Sequence, residues 1–159
     1  MLKISKLTDY GLLAALYLAR KRGEVVSARE IAGFYHLPVP MVTKALKTLQ
    51  HGSVVASHRG VDGGYSFHGD PESTSLGQLV EVLEGPWDLV ECETVDLHGE
   101  ALCSIRSGCP SRRFMFTINL AIKGAFDQVS LGDLVRGVIP MGSILQTTAG
   151  HRAGREGIQ

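Results

Sequence analysis

The chain contains no run of about 18 consecutive apolar residues, so no segment reads as a helix able to cross a bilayer. The opening stretch MLKISKLTDYGLLAALYLARKRG carries Asp9 and no small-residue cleavage site, which argues against a secretory leader. A cytoplasmic protein with no membrane partner is expected. Catalytic signatures are missing too. There is no G-x-S-x-G elbow, G-x-x-x-x-G-K phosphate loop or H-E-x-x-H helix, and the six histidines lack metalloprotease spacing. The expectation is a protein that is not an enzyme. Net charge is also absent, with sixteen Lys and Arg against sixteen Asp and Glu. Its distribution says more than its total. Residues 1–70 hold nine basic and five acidic side chains and residues 71–159 hold seven and eleven, an asymmetry of the kind that accompanies nucleic-acid binding. Cysteine is scarce, with three residues. An odd number in a reducing compartment argues against a structural disulfide framework and leaves burial, metal binding or redox chemistry.

A chain of 159 residues has room for one domain of about 100 residues and an appendage. From Thr8 to Arg20, Leu12, Leu13, Leu16 and Tyr17 recur at helical spacing, with Thr8 or Ser5 able to cap and Gly23 beyond the basic end. SARE at 27–30 reads as a capping box, Ser27 accepting from first-turn amides while Glu30 reaches back, and opens a second helix to about Tyr35. Pro40 suits the first turn of a third helix. Val42, Ala45, Leu46 and Leu49 form its apolar stripe until Gly52 supplies a left-handed stop. The other face of that helix holds Met41, Thr43, Lys44, Lys47 and Thr48, suited to base edges and phosphates.

Two helices joined by a tight turn, the second presenting polar groups, make a helix-turn-helix. SVVAS at 53–57 and YSF at 65–67 are rich in strand formers, and the segment Gly60–Gly64 turns the chain between them. A hairpin in that place is a wing. Arg59 stands where the first strand leaves for the wing tip, beside glycines that leave room for its guanidinium to enter a narrow, A·T-rich minor groove.

In the second half, SLGQLVEVLEG places Leu76, Leu79, Val80 and Leu83 on one stripe behind a cap at Ser75. From Pro110 to Val129, the residues Phe114, Met115, Ile118, Ala121, Ile122, Ala125 and Val129 form an apolar face wider than a small domain needs for itself, which predicts a dimerisation helix. SLGD at 130–133 opens a short last helix to about Arg136. Between the two longer helices lies a loop holding Cys92, Cys103 and Cys109 in a C-x10-C-x5-C arrangement. Soft thiolates gathered in one long loop suit zinc or an iron–sulfur cluster, and Cys103 with Cys109 could instead form a redox disulfide. Structural zinc sites favour C-x2-4-C pairs, and the chain has none. Cys109 precedes Pro110 at a helix start, where the dipole stabilises a thiolate.

The fold class expected is therefore mostly α with a small β-hairpin. Residues 1–70 form a winged helix-turn-helix domain. Residues 71–137 carry a linker helix, the cysteine loop at about 87–109 and the long dimerisation helix at about 110–129. Residues 138–159 form a polar, flexible tail.

The stretches KISKLTDYGLLAALYLA, LPVPMVTKALKTLQHGSVVASHRGVDGGYSF and SLGQLVEVLEG, followed by the late cysteines, resemble the Rrf2 family of winged-helix regulators, which includes IscR, NsrR and RirA. The likeness spans roughly residues 1–137. SHRGVDGGY and KLTDYG are similar to the branch that regulates the SUF iron–sulfur assembly operon. The resemblance implies a homodimeric transcription factor on a pseudo-palindromic operator in double-stranded DNA, with helix 40–50 in the major groove and Arg59 in the minor groove. The expected DNA-contacting set is Ser27, Pro40, Met41, Thr43, Lys44, Lys47, His58, Arg59 and Gly60. It also implies a 2Fe-2S or 4Fe-4S cluster held by Cys92, Cys103 and Cys109. In the IscR branch a histidine follows the third cysteine by three residues, but here that place is Arg112, which cannot ligate. In the NsrR branch an aspartate near the start of the first helix completes the set from the partner subunit. Asp9 occupies that position, with His98, Glu91, Glu93 or a small exogenous ligand as alternatives.

Overall fold

The computed structural model describes residues 4–88, 98–99, 102–105, 107–138 and 142. Helices α1 (Lys6–Arg20), α2 (Ala28–Tyr35) and α3 (Val39–His51) lead into an antiparallel hairpin of β1 (Val55–His58) and β2 (Gly64–Phe67). Helices α4 (Leu76–Glu84), α5 (Arg112–Asp127) and α6 (Leu131–Arg136) follow. The architecture is a winged helix with three further helices. None of the described helices is long and apolar enough to cross a membrane.

Helix α1 starts two residues earlier than its apolar spacing suggests, because Ser5 is the cap and accepts the Thr8 amide at 3.2 Å. Thr8 is instead fully buried. Helix α2 is capped as expected by Ser27, which accepts the Glu30 amide at 3.1 Å. The reciprocal half of that capping box does not form. The Glu30 carboxylate accepts from the Tyr17 hydroxyl at 2.9 Å and pairs with Lys21 at 3.2 Å, so partners on α1 outcompete its own helix end. These contacts, the Tyr17 bond first, lower the Glu30 pKa.

The turn into α3 is made by His36, left-handed at φ 55°, and closed by the Leu37 amide donating to Ala32 at 2.8 Å. The stop after α3 differs from the expectation. Gly52 has φ −81°, and Ser53 takes the left-handed conformation at φ 58°. Gly52 is needed for a different reason: a Cβ there would stand 2.4 Å from Val82 of α4. The left-handed Ser53 also delays the first strand, which starts at Val55 rather than Ser53.

Leu18, Ile31, Leu46, Leu49, Leu79 and Leu131 are completely buried in one core shared by α1, α2, α3, α4 and α6. Each contributes about 1.5–3 kcal/mol relative to exposure. Capping boxes open both α4, through Ser75 and Gln78, and α6, through Ser130 and Asp133. The two caps lie side by side, with the Leu76 amide donating to Val129 and the Leu131 amide to Thr74, both at 2.8 Å. This junction returns the chain to the core after α5.

Helix α5 is different. Its only buried residue is Asn119, while Phe114, Phe116 and Leu120 are 66 %, 42 % and 42 % exposed. Of the expected tail, only Val138 and Gly142 lie among the described residues.

Candidate nucleic-acid interface and thiol site

The apolar stripe Val42, Ala45, Leu46 and Leu49 seats α3 in the core and thereby turns Lys44 and Lys47 fully outward. Pro40 lies in its exposed first turn, with Met41 and Thr43 half-buried beside it. The Thr43 hydroxyl donates to the Val39 carbonyl at 2.9 Å, and Thr48 does the same to Lys44 at 3.2 Å. With its proton engaged, Thr43 presents an acceptor oxygen and a methyl group. That combination matches an amino group or a thymine methyl on a base edge better than a phosphate, which needs a donor.

The wing is held by backbone geometry. Tyr65 of β2 exchanges two hydrogen bonds with Val26, both at 2.8 Å, so the segment preceding α2 pairs with the hairpin. Ser27, which follows Val26, uses its oxygen as the α2 cap and retains a hydroxyl proton for an external acceptor. At the tip, Gly63 donates to Gly60 at 3.1 Å, and a Cβ on Gly63 would stand 2.7 Å from the His58 carbonyl oxygen. Gly60 adopts φ 124°, a conformation available to glycine and rarely to other residues. Arg59 is exposed between these constraints. His58 bridges the strands through Nε2 to Ser66 Oγ at 2.8 Å, which stiffens the base of the loop that carries Arg59.

Of the three cysteines, Cys103 and Cys109 are described, and both are unbridged and half-buried. Cys92 lies outside the described residues, as do Glu91 and Glu93. Cys109 Sγ is 3.2 Å from Ser111 Oγ at the entrance to α5. The Ser111 hydroxyl and then the Ser111 amide lower the thiol pKa and outweigh the effect of burial, with the Arg112 amide and charge adding to them. A thiol so placed is biased toward thiolate, the form that binds metal and reacts with oxidants. Asp9 is exposed in the first turn of α1. Among the described residues, no three His, Cys, Asp or Glu side chains converge as a metal cage.

Two anchors were not legible in the sequence. Glu84 Oε1, at the end of α4, accepts from the Ser5 amide at 2.9 Å and from the Thr8 hydroxyl at 2.5 Å. These bonds, Thr8 first, lower the Glu84 pKa. Asp88, where the chain leaves toward the cysteines, pairs with Lys123 at 2.8 Å and accepts from Asn119 at 2.5 Å. Burial works against the Asp88 charge, but these two partners outweigh it and the pKa is lowered. Trp87 packs on Phe126, 5.4 Å between centroids, with Lys123 5.5 Å above its ring. The partners are separated by 31 to 79 residues, and no local pattern announces such pairs.

The family model Rrf2, described as an iron-dependent transcriptional regulator, matches residues 4–137. The HTH-type transcriptional repressor NsrR of Streptomyces coelicolor is 33% identical over 146 residues, covering 91% of this chain and 94% of that protein. The HTH-type transcriptional regulator CymR of Bacillus subtilis is 32% identical over 135 residues, covering 84% and 89%. Among solved structures, CymR (YrzC), the global cysteine regulator of B. subtilis, superposes with a TM-score of 0.70 at 31% identity, covering 87% of this chain and 99% of that one. IscR of T. potens superposes with a TM-score of 0.65 at 25% identity, covering 86% and 88%. The exposed helix α3, the glycine-built wing and these relatives agree, and the chain belongs to the Rrf2 family as a DNA-binding transcriptional regulator rather than an enzyme.

Proposed function

We propose that the protein is a homodimer whose binding to a pseudo-palindromic operator is controlled by an iron–sulfur cluster, and that it governs iron–sulfur assembly or iron, redox or nitric oxide stress genes. The observation that carries this reading is the Cys109 thiol, half-buried, polarised by Ser111 and six positions after the equally unbridged Cys103. With Cys92, these are all the cysteines of the chain, and all fall in the segment joining α4 to α5. A set of soft thiolates fits an iron–sulfur cluster. Cys92, Cys103 and Cys109 would hold it, with Asp9 of the other subunit as the fourth ligand. When bound, the cluster contributes a group sensitive to oxidants and to iron supply.

The chain's own residues do the rest. Lys44 and Lys47 meet phosphate, Thr43 and Met41 meet base edges, and Pro40 brings the start of α3 close to the backbone. Ser27 donates to a phosphate, while His58, Arg59 and Gly60 place the guanidinium in the minor groove. The apolar residues of α5, Phe114, Phe116 and Leu120 exposed and Met115, Ile118 and Ile122 half-buried, support a two-fold interface. Such a dimer reads half-sites of opposite strand sense.

A second reading is favoured by the likeness to the global cysteine regulator: Cys103 and Cys109 form a regulatory disulfide, or a zinc site, with no cluster. Anaerobic purification separates the two. Coloured protein with iron and acid-labile sulfide supports the cluster. Colourless protein, with zinc or with operator binding that follows a Cys103–Cys109 disulfide, supports the alternative.

A further inference from the structure

The last turn of α4 touches two elements, α3 and α1, through three consecutive residues. Val82 sits against Gly52 at the end of α3, where a Cβ would come within 2.4 Å of its side chain. Leu83 sits against Gly11 of α1, where a Cβ would come within 2.5 Å. Glu84 then binds the Ser5 amide and the buried Thr8 hydroxyl. Ser5 is committed at both ends of its backbone, because its carbonyl accepts the Asp9 amide at 3.0 Å. A continuous path therefore runs from Glu84 through Ser5 to Asp9. One residue beyond Glu84, Gly85 turns the chain at φ 84°, and Trp87 and Asp88 fix it to α5 before the cysteine segment begins.

We infer that Glu84 is a positioning residue: its carboxylate registers the first turn of α1, and Asp9 with it, against the turn of α4 that both leads into the cysteine segment and abuts the recognition helix. The inference rests on the cluster reading above. Glycines at both α4 contacts make the packing stiff, since neither Gly11 nor Gly52 leaves slack for α4 to slide independently of α1 and α3. A shift of the first turn of α1 is thus felt at the base of α3. Two packed helices with a shared carboxylate form the kind of contiguous element through which coupling travels.

The test compares Glu84→Ala, Glu84→Gln and Thr8→Val with the unmodified full-length protein, all purified anaerobically. Helical content, iron and sulfide per subunit, visible spectrum, bleaching rate in air and operator affinity before and after iron chelation are measured. Glu84→Ala and Thr8→Val are expected to take up iron on intact thiolates, yet show an altered spectrum and faster bleaching. Their difference in affinity between cluster-loaded and cluster-free forms narrows by about 2- to 30-fold. Glu84→Gln keeps an acceptor oxygen for Ser5 and Thr8 and behaves like the unmodified protein. If Glu84→Ala does not fold, Thr8→Val, which preserves volume at a buried position, decides alone. Folded Glu84→Ala and Thr8→Val proteins with unmodified spectrum, bleaching and affinity ratio would overturn the inference, as would Glu84→Gln failing as badly as Glu84→Ala. Iron absent from the unmodified protein defeats the cluster reading itself, whereas iron present with insensitive variants defeats only the role of Glu84.

Discussion

Gly64 lies so close to Val26 that a Cβ on the glycine would stand 2.5 Å from the Val26 carbonyl oxygen. The contact exists because Tyr65 pairs with Val26 through two backbone hydrogen bonds. It ties the wing to the segment that enters α2 and sets the wing's angle to the helix-turn-helix. Gly64→Ala is expected to destabilise the fold by about 1–3 kcal/mol, since backbone rather than a mobile side chain must move. It should also weaken operator binding more than the stability loss explains. Urea unfolding and operator titration at matched folded fractions check this.

The wing and the recognition helix should fail differently. Arg59→Ala is expected to weaken specific binding by about 1–3 kcal/mol and to flatten the preference for A·T pairs at wing positions. Lys47→Ala, meeting phosphate, should weaken all sequences alike and reduce the salt slope by about one unit. Titrations on altered operators at several salt concentrations read both. Unchanged affinity and preference in Arg59→Ala would reduce the glycine-rich tip to an ordinary turn.

Phe114, Phe116 and Leu120 of helix α5 are exposed, with Ile118 half-buried beside them. Ile118→Glu places a charge among these residues and is expected to convert the proposed dimer to a monomer by sedimentation, with helical content retained. A monomeric unmodified protein would remove the dimerisation role.

Acid should loosen the junction around α4. The Glu84 and Asp88 carboxylates both have lowered pKa values in the folded chain. A depressed folded pKa contributes stability that is complete above the unfolded value and is lost as pH falls through the folded one. Unfolding free energy is therefore expected to drop as pH falls below the ordinary carboxylate range. Glu84→Gln should make that drop shallower, measured by urea unfolding across an acidic pH series. An identical slope in the variant would deny Glu84 a share in it.

Most of the architecture was readable from local rules. Ser75 with Gln78, Ser130 with Asp133 and the stripe of α3 each express a capping or spacing requirement within a few residues. Expectations failed where a distant partner intervened. Glu30 was drawn from its capping box by Tyr17 and Lys21 on α1, and Gly52 answers to Val82 of α4 rather than to the turn it borders. The site shows the same division. Arg59 with its glycines and the cysteine spacing are local signals, whereas the hold of Glu84 on Ser5 and Thr8 spans 76 residues and more.

Each thiolate should be indispensable and Asp9 less so. Cys92→Ala, Cys103→Ala and Cys109→Ala are each expected to abolish the cluster while leaving a folded dimer. Asp9→Ala keeps three thiolates and should give a cluster that is more labile or spectrally shifted. Iron retained in all three cysteine variants, with lost solubility, would mark the cysteines as structural.

The most direct measurement is operator affinity of the anaerobically purified protein before and after chelation of its iron, with iron and acid-labile sulfide counted per subunit in the same samples. Coloured protein containing both is expected, with a change in affinity of about 5- to 150-fold when they are removed. Colourless protein, or an affinity that chelation leaves unchanged, would contradict it.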